Sequence, residues 1–517
     1  MSARSSIRPM APVRVLLVVL MILVGFGVAG ADSPDPRGAD VAYIATGTNF
    51  PDALGAGPAA ALGSGPILLV QTDSVPSQTT TELNRLEPRL IVIVGGTAAV
   101  STTVENTLKG LSFGPTVIRV SGSNRYATAA AISQQAFPCA EGEVMAGRDR
   151  QGVVCRPELS GNWSTQEVDS TGTVGAYTSI ALDAFGNPVI SYHDSTNTSL
   201  KLAHCDDPAC SGGGESIVTV DNTANLGYYT SLALDSSGYP VIAYYDATNT
   251  SLKLAHCNDP NCSSGGESIV TVDNTANLGW YTSLVLDSSG NPVIAYHDVT
   301  SASLKLAHCD DANCSGGGES IVTVDNTADV GYTPSLVLDA AGNPVISYYD
   351  SSNSSLKLAH CNDANCSSGG DSLVTVDNDA ELGRYTSLVL DSTGYPVISY
   401  YDNANTSLKL AHCNDANCSS GGDSIVTVDN TADVGWYTSL VLDSAGNPVI
   451  SYYDLTNSAL KVAQCDDANC SGGGESIVTV DNTATVGWDS SLVLDPAGNP
   501  VVSYYDATNG DLNVTSF

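Results

Sequence analysis

The feature that most constrains this 517-residue chain is a repeat of fixed length. The Asp of an "LD" pair falls at Asp183, Asp235, Asp287, Asp339, Asp391, Asp443 and Asp495, each 52 residues after the last. Periods near this size belong to solenoids, propellers or arrays of small units. In the second copy four strand-like runs follow one another: YTSLALD (229–235), YPVIAYYD (239–246), SLKLAHC (251–257) and SIVTVDN (268–274). Turn-forming SSG, ATNT and NDPNCSSGGE separate them. Each copy is therefore expected to be a four-stranded antiparallel meander, the unit of a propeller blade.

The ends of the repeat distinguish a ring from an open stack. The seventh copy stops at DLNVTSF (511–517), which aligns with SLKLAHC, so it lacks a fourth strand. NWSTQEVDS (162–170) stands ahead of the first copy and aligns with ESIVTVDNT. Residues 161–517 are thus expected to form a seven-bladed all-β propeller in which the N-terminal strand 162–169 completes the seventh blade. Closure also removes the exposed edges of an open stack. A long right-handed solenoid leaves the split seventh copy unexplained.

Each of the first six copies carries a string such as LAHCNDPNC (254–262), which raises three readings: metal site, redox pair or covalent clip. Neighbouring strand residues point to opposite faces, so His256 and Cys257 cannot readily share a metal. His256 lies on the side of Leu252 and Leu254, between blades, and Gln464 and Ser516 replace it in the last two copies. An exported chain with an even cysteine count favours disulfides. The expected pairs are Cys205–Cys210, Cys257–Cys262, Cys309–Cys314, Cys361–Cys366, Cys413–Cys418 and Cys465–Cys470, each spanning one third-to-fourth turn, with Cys139–Cys155 in the stretch before the repeats.

Export itself is read from the N-terminus. Arg4, Arg8 and Arg14 precede an apolar run from Val15 to Val28, and Ala29-Gly30-Ala31 supplies a small-x-small cleavage site. This is the pattern of a secretory signal peptide over 1–31, and the run is shorter than the roughly 20 residues a spanning helix needs. Residues 32–40 and 138–160 read as linkers. Between them, over 41–137, apolar runs (VAYIAT, PILLV, LIVIV, TVIRV) alternate with helix-like stretches (51–62, 77–86, 101–111, 125–137), which predicts a small α/β domain with a parallel sheet. Ser101 followed by Glu105 suits a helix start. Ligands of open α/β sheets bind at the carboxyl ends of the strands, so the turns holding Asn49, Phe50, Asp52, Gly95 and Gly96 are candidates, with Arg125 and Tyr126 beyond the fourth strand. Gly95-Gly96 is not a phosphate loop, because no Lys-Ser/Thr follows.

The segments ATGTNFPDALGAGPAAALGSGPILL, IVIVGGTAAVS and RVSGSNRYATAAAIS resemble the cell wall-binding repeat 2 family of Gram-positive surface proteins. The resemblance covers 41–137 and implies non-covalent anchoring to an anionic cell-wall polymer. Family members usually carry three tandem copies, whereas this chain holds one unit, so avidity from neighbouring units is absent. Self-association of the chain would restore it.

Charge is unevenly placed: residues 160–517 contain 43 acidic and 7 basic residues. Such a surface repels nucleic acid and, once the signal peptide is removed, anionic membranes. Strand order puts the second-to-third turns and the blade-to-blade crossovers on one face of the disc, opposite the cysteine turns. That face holds the predicted ligand groups: the carboxylates Asp194, Asp246, Asp298, Asp350, Asp402, Asp454 and Asp506, and the residues after the crossover glycine, Tyr228, Trp280, Tyr332, Arg384, Trp436 and Trp488, with Ala176 in the first copy. Aromatic faces beside carboxylates suit a glycan or protein ligand, and the competing reading is that the rings pack between blades. The carboxylates have the oxygens for calcium, but capping their own turns is the favoured reading. No other metal or cofactor is expected. No enzyme is expected either, since near-identical copies single out no acid and Arg384 is the only arginine of the repeats. The sequence therefore leads to a secreted, wall-associated protein with a multivalent binding propeller; an extracellular glycan hydrolase and a structural spacer are the alternatives.

Overall fold

The structure, a computed structural model, describes residues 41–46, 66–88, 90–120, 143–149, 152–157, 159, 163–379, 382–472 and 475–517. The signal peptide, the first linker and the helices expected over 51–62 and 125–137 lie outside these. Among the described residues no helix is long and apolar enough to cross a membrane. The chain divides into two compact units, Met1–Pro138 and Cys139–Phe517.

In the first unit, β1 (Val41–Thr46), β2 (Ile67–Val70), β3 (Leu90–Val94) and β4 (Thr116–Val120) form a parallel sheet in the order β2-β1-β3-β4. Their unbroken apolar runs suit strands covered by helices. Helices α1 (Ser77–Leu86) and α2 (Thr102–Lys109) fall where the sequence placed them, and Leu83, Val104 and Leu108 pack on Ile44, Ile91 and Ile93. The start of α2 differs in detail from a capping box. Ser101 is the N-cap residue but its hydroxyl makes no capping bond. Glu105 turns instead to Lys109 at 2.7 Å and Arg119 at 2.9 Å.

The expected linker 138–160 contains structure: β5 (Glu143–Asp149) and β6 (Gly152–Pro157) pair as an antiparallel hairpin. Beyond it stand seven four-stranded antiparallel sheets. In the second blade the strands are Leu226–Leu234, Pro240–Asp246, Ser251–His256 and Ser268–Asp273. The innermost strand starts before the expected Tyr229, because the crossover residues already pair: Leu226 lies opposite Asp246. Gly227 permits this. Its φ is 86°, and a Cβ there would stand 2.9 Å from Leu200 Cα of the preceding blade. The seventh sheet consists of Val486–Leu494, Pro500–Asp506, Asp511–Ser516 and the N-terminal strand Ser164–Asp169, in register from Ser516–Ser164 to Leu512–Asp169. The ring closes as the split copy required.

Blades are joined by a buried ionic clasp. In the third blade Tyr296 and Lys305 are register partners on adjacent strands. Both reach back to Asp273, on the outer strand of the second blade, and donate to its Oδ2 at 2.7 and 2.6 Å. The other carboxylate oxygen, Oδ1, accepts from the N–H and hydroxyl of Thr275 and so fixes the start of the crossover. The same arrangement joins Asp221 to Tyr244 and Lys253, and Asp325, Asp377 and Asp429 to their followers. Asp169, on the N-terminal strand, clasps Tyr192 and Lys201 and ties the seventh blade to the first. Only the Asp481 clasp lacks a lysine: Tyr504 donates at 2.6 Å, and Asn513 stands at the lysine position. Burial opposes ionisation of Asp273, yet the Lys305, Thr275 and Tyr296 donors outweigh it and hold the carboxyl below its ordinary value.

The six cysteine pairs within the blades are disulfide-bonded, with Cα atoms 4.9–5.1 Å apart. The expected Cys139–Cys155 pair involves side chains outside the described residues. The neighbouring histidines bridge blades. His256 Nε2 meets Asp235 Oδ2 at 3.2 Å, and its Nδ1 meets the Ala312 carbonyl of the next blade at 2.9 Å.

Two outcomes follow. Lys305→Ala leaves the Asp273 carboxylate buried without its cation and is expected to destabilise the propeller by about 3–5 kcal/mol, measured by denaturant unfolding. Because the folded pKa of Asp273 is lowered, its contribution is complete above the ordinary carboxylate pKa and is lost as pH falls through the folded value; the wild-type and variant midpoints should therefore converge in acid. Thiol titration of the protein, isolated under oxidising conditions and denatured without reductant, should find the twelve cysteines of Cys205–Cys470 unreactive. Recovery of all fourteen thiols would overturn the clip assignment.

Candidate functional site

The predicted carboxylates are not open to a ligand. Asp194, Asp246, Asp298, Asp350, Asp402, Asp454 and Asp506 are at most 5 % exposed. Each ends the second strand and caps its turn. Asp194 Oδ1 accepts from the Asn197 N–H at 2.9 Å, and Oδ2 from the Asn197 amide at 2.8 Å. Asp246, Asp350, Asp402, Asp454 and Asp506 repeat both bonds to their own asparagines, and Asp298 accepts from the N–H groups of Thr300 and Ser301. The turn needs the cap because its last residue, Thr198 in the first blade, has φ 52°. The same bonds occupy the oxygens that calcium would use, and no cluster of three potential metal ligands occurs among the described residues.

The residues after the crossover glycine lean on the preceding blade and are half-buried, except Arg384, which is exposed. Tyr228 stacks on His193 of the preceding blade with centroids 4.1 Å apart, and Tyr332 on His297 at 4.0 Å. Trp280, Trp436 and Trp488 lie against Tyr245, Tyr401 and Tyr453 at 5.8, 5.1 and 5.9 Å. Arg384 stands over Tyr349 at 5.4 Å. The rings of the rim positions expected from the sequence thus contribute one side to the blade interfaces, and their neighbouring carboxylates cap turns.

One residue further on, the structure gathers a different set. Tyr177, Tyr229, Tyr281, Thr333, Tyr385, Tyr437 and Asp489 all have φ between 44° and 57°. This is the left-handed region, which is strained for bulky residues. In the second blade the register jumps from Tyr228 to Ser231, so Tyr229 forms a bulge in the innermost strand. The seven bulges place these side chains around the propeller axis. With the following residues (Thr178, Thr230, Thr282, Pro334, Thr386, Thr438 and Ser490) they line a cavity of about 180 Å3. Tyrosine rings of adjacent blades are 4.6 Å apart at 177/229, 4.4 Å at 229/281 and 4.6 Å at 385/437. Hydroxyls tie the walls together: Thr230 donates to the Tyr177 carbonyl at 2.8 Å, and the Leu232 N–H donates to Ser179 Oγ at 3.0 Å. The signal for this site was present in the repeat. Aligned at a period of 52, the column reads Tyr five times, Thr once and Asp once, so one acid is singled out after all.

In the first unit, Gly95 and Gly96 form the turn at the carboxyl end of β3. Gly95 has φ 108°, donates to the Val120 carbonyl at 2.8 Å and receives the Arg119 guanidinium at 2.8 Å. A Cβ on Gly96 would meet nothing within 4 Å, so this turn is open. Asn49, Phe50, Asp52, Arg125 and Tyr126 lie outside the described residues. Residues 26–105 match the Cell wall binding domain 2 (CWB2) family. N-acetylmuramoyl-L-alanine amidase LytC of Bacillus subtilis (strain 168) is 38% identical over 96 residues, which are 19% of this chain and 19% of the amidase. The Amidase enhancer of the same organism is 38% identical over 96 residues, covering 19% of this chain and 12% of its own. Among solved structures, Cwp6 from Clostridium difficile shares 32% identity over 18% of this chain and 15% of that one, with a TM-score of 0.18. The chain thus spans about a fifth or less of these relatives. It carries a CWB2 cell wall-binding domain followed by a seven-bladed β-propeller.

Asp489 is the electrostatic exception on the axis. Its Oδ2 accepts from the Tyr177 N–H at 2.8 Å, a bond between the seventh and first blades. Burial, only partly offset by that bond, raises its carboxyl to about 6. An acid whose folded pKa exceeds its unfolded value costs stability once it ionises, so the penalty grows as pH rises from about 4 to about 6 and is complete above that. Asp489→Asn keeps an acceptor for Tyr177 and removes the charge. It is expected to raise stability at pH 7–8 by about 1–3 kcal/mol, after discounting for water in the cavity, with the gain vanishing near pH 4. Thermal melts of both proteins across this range check it.

Proposed function

We propose that this is a secreted surface protein held non-covalently to a cell-wall polymer by its CWB2-type domain, with the propeller displaying a ligand site on its axis. The anchoring half is supported by the match over residues 26–105 and by the open Gly95-Gly96 turn at a strand carboxyl end. The single observation that carries the propeller half is Asp489. A carboxylate that burdens the fold, at a position where five other blades place tyrosine, is the kind of residue kept for binding. The site is one per propeller, so several weak rim sites acting together are no longer part of the reading.

The alternative of an extracellular glycan hydrolase requires two carboxylates across the scissile bond. Asp489 is the single carboxylate in the cavity lining, which favours binding over hydrolysis.

Sedimentation with purified Gram-positive cell walls tests the anchor. The full secreted chain should pellet with walls, and a chain lacking 41–137 should remain at least tenfold more in the supernatant. Equal retention of the two would overturn the anchoring assignment and shift wall contact to the propeller.

A further inference from the structure

The charge balance around the axial cavity narrows the ligand's chemistry. The propeller's six lysines are all engaged in the inter-blade clasps. Its one arginine, Arg384, is held over the Tyr349 ring. The cavity lining itself contains tyrosines, threonines, a proline, a serine and Asp489, and no basic residue. The Asp489 carboxylate receives a single hydrogen bond among the described residues, from the Tyr177 N–H, while the residue's backbone carbonyl accepts from the Thr178 hydroxyl. The second carboxylate oxygen therefore has no protein donor, and the charge has no partner in the lining.

A carboxylate in a partly desolvated cavity is satisfied by a cation. The tyrosine faces beside it attract the same kind of group, since an aromatic face is negative. The acidic surface of residues 160–517 raises the local concentration of cations and repels anions. A neutral sugar could donate a hydrogen bond to Asp489 but would leave the charge unanswered. Resting on the reading that the axial cavity is the propeller's ligand site, we propose that it binds an organic ammonium group, seated on the Asp489 carboxylate against the rings of the flanking blades, Tyr177 and Tyr437.

Isothermal titration of the full secreted chain with two matched pairs of probes tests this. Choline and its neutral isostere 3,3-dimethylbutan-1-ol report a quaternary ammonium; glucosamine and glucose report a primary one. The charged member of at least one pair should bind saturably and at least tenfold more tightly than its neutral counterpart, and the preferred pair identifies the type of ammonium. Asp489→Asn, whose fold is verified by circular dichroism and its melting curve, should abolish the preference. In the wild type the preference should also shrink between pH 7 and pH 5 as Asp489 takes up a proton. The groups facing Asp489 are the hydroxyls of Tyr177, Tyr281, Tyr385, Tyr437 and Tyr505, all raised above their ordinary value by burial, so they stay neutral in this range; the cation Arg384 acts on Tyr281 and Tyr385. Equal binding of charged and neutral probes, or a preference that survives Asp489→Asn, overturns the ammonium assignment.

Asp489→Tyr, which restores the residue of the other blades and fills the cavity, separates the two levels of the claim. A glycan array bound by the wild type through neutral sugars and lost in Asp489→Tyr would overturn the ammonium assignment while leaving the axial site. An array and probe set unaffected by Asp489→Tyr would overturn the axial site itself.

Discussion

The propeller depends on a carboxylate that serves two blades at once. Asp273 and its equivalents hold the crossover leaving one blade with one oxygen and the Tyr–Lys pair of the next blade with the other. A charge this deeply buried would be ruinous alone and is tolerable only with every donor present. That requirement fixes the angle and distance between neighbouring sheets, which apolar packing of Val, Leu and Ile side chains would leave free to slide. The clasp also accounts for the odd charge balance of the repeats. Their six lysines are interior residues, so the surface is left almost purely acidic.

Much of this architecture was legible in the sequence, and the reason is repetition. Seven copies of one alternating pattern define strands, turns and blade count, and the incomplete seventh copy specifies closure through Ser164–Asp169. The six blade disulfides were legible from the five-residue cysteine spacing within each copy. What the pattern conceals is direction. The bulge at Tyr229 and its equivalents shifts the register by a single residue, yet it decides which of two adjacent columns faces the axis. Read as a plain loop, the crossover put Tyr228 outside, whereas as a bulged strand it buries Tyr228 on His193 and turns Tyr229 inward. The Asp194 series shows a second limit, because a carboxylate capping its own turn and one awaiting a ligand look the same in one dimension.

The departures from sevenfold symmetry carry more information than the symmetry. Thr333 and Asp489 interrupt the tyrosine ring, and each accepts a hydrogen bond from the backbone N–H of the bulge residue in the next blade, Tyr385 and Tyr177. Tandem duplication supplies identical blades; chemistry requires unlike ones. The seventh blade is the most altered, with Asp489 on its axis, Asn513 in place of the clasp lysine and no disulfide turn.

That seventh blade is also where the chain enters the ring. Its outer strand, Ser164–Asp169, continues directly from the segment that follows the CWB2-type domain. In the proposed wall-held state, tension would first meet Leu159, buried among Val449, Leu460 and Val486, and then the closing strand at Ser164, beside the Trp163–Phe517 contact of 5.6 Å. From there it would have to peel four strand pairings in sequence before reaching Asp169, where the clasp to Lys201 and Tyr192 stands as the final restraint. In such a state the closing strand would act as a fuse, the first part of the circle to open under drag.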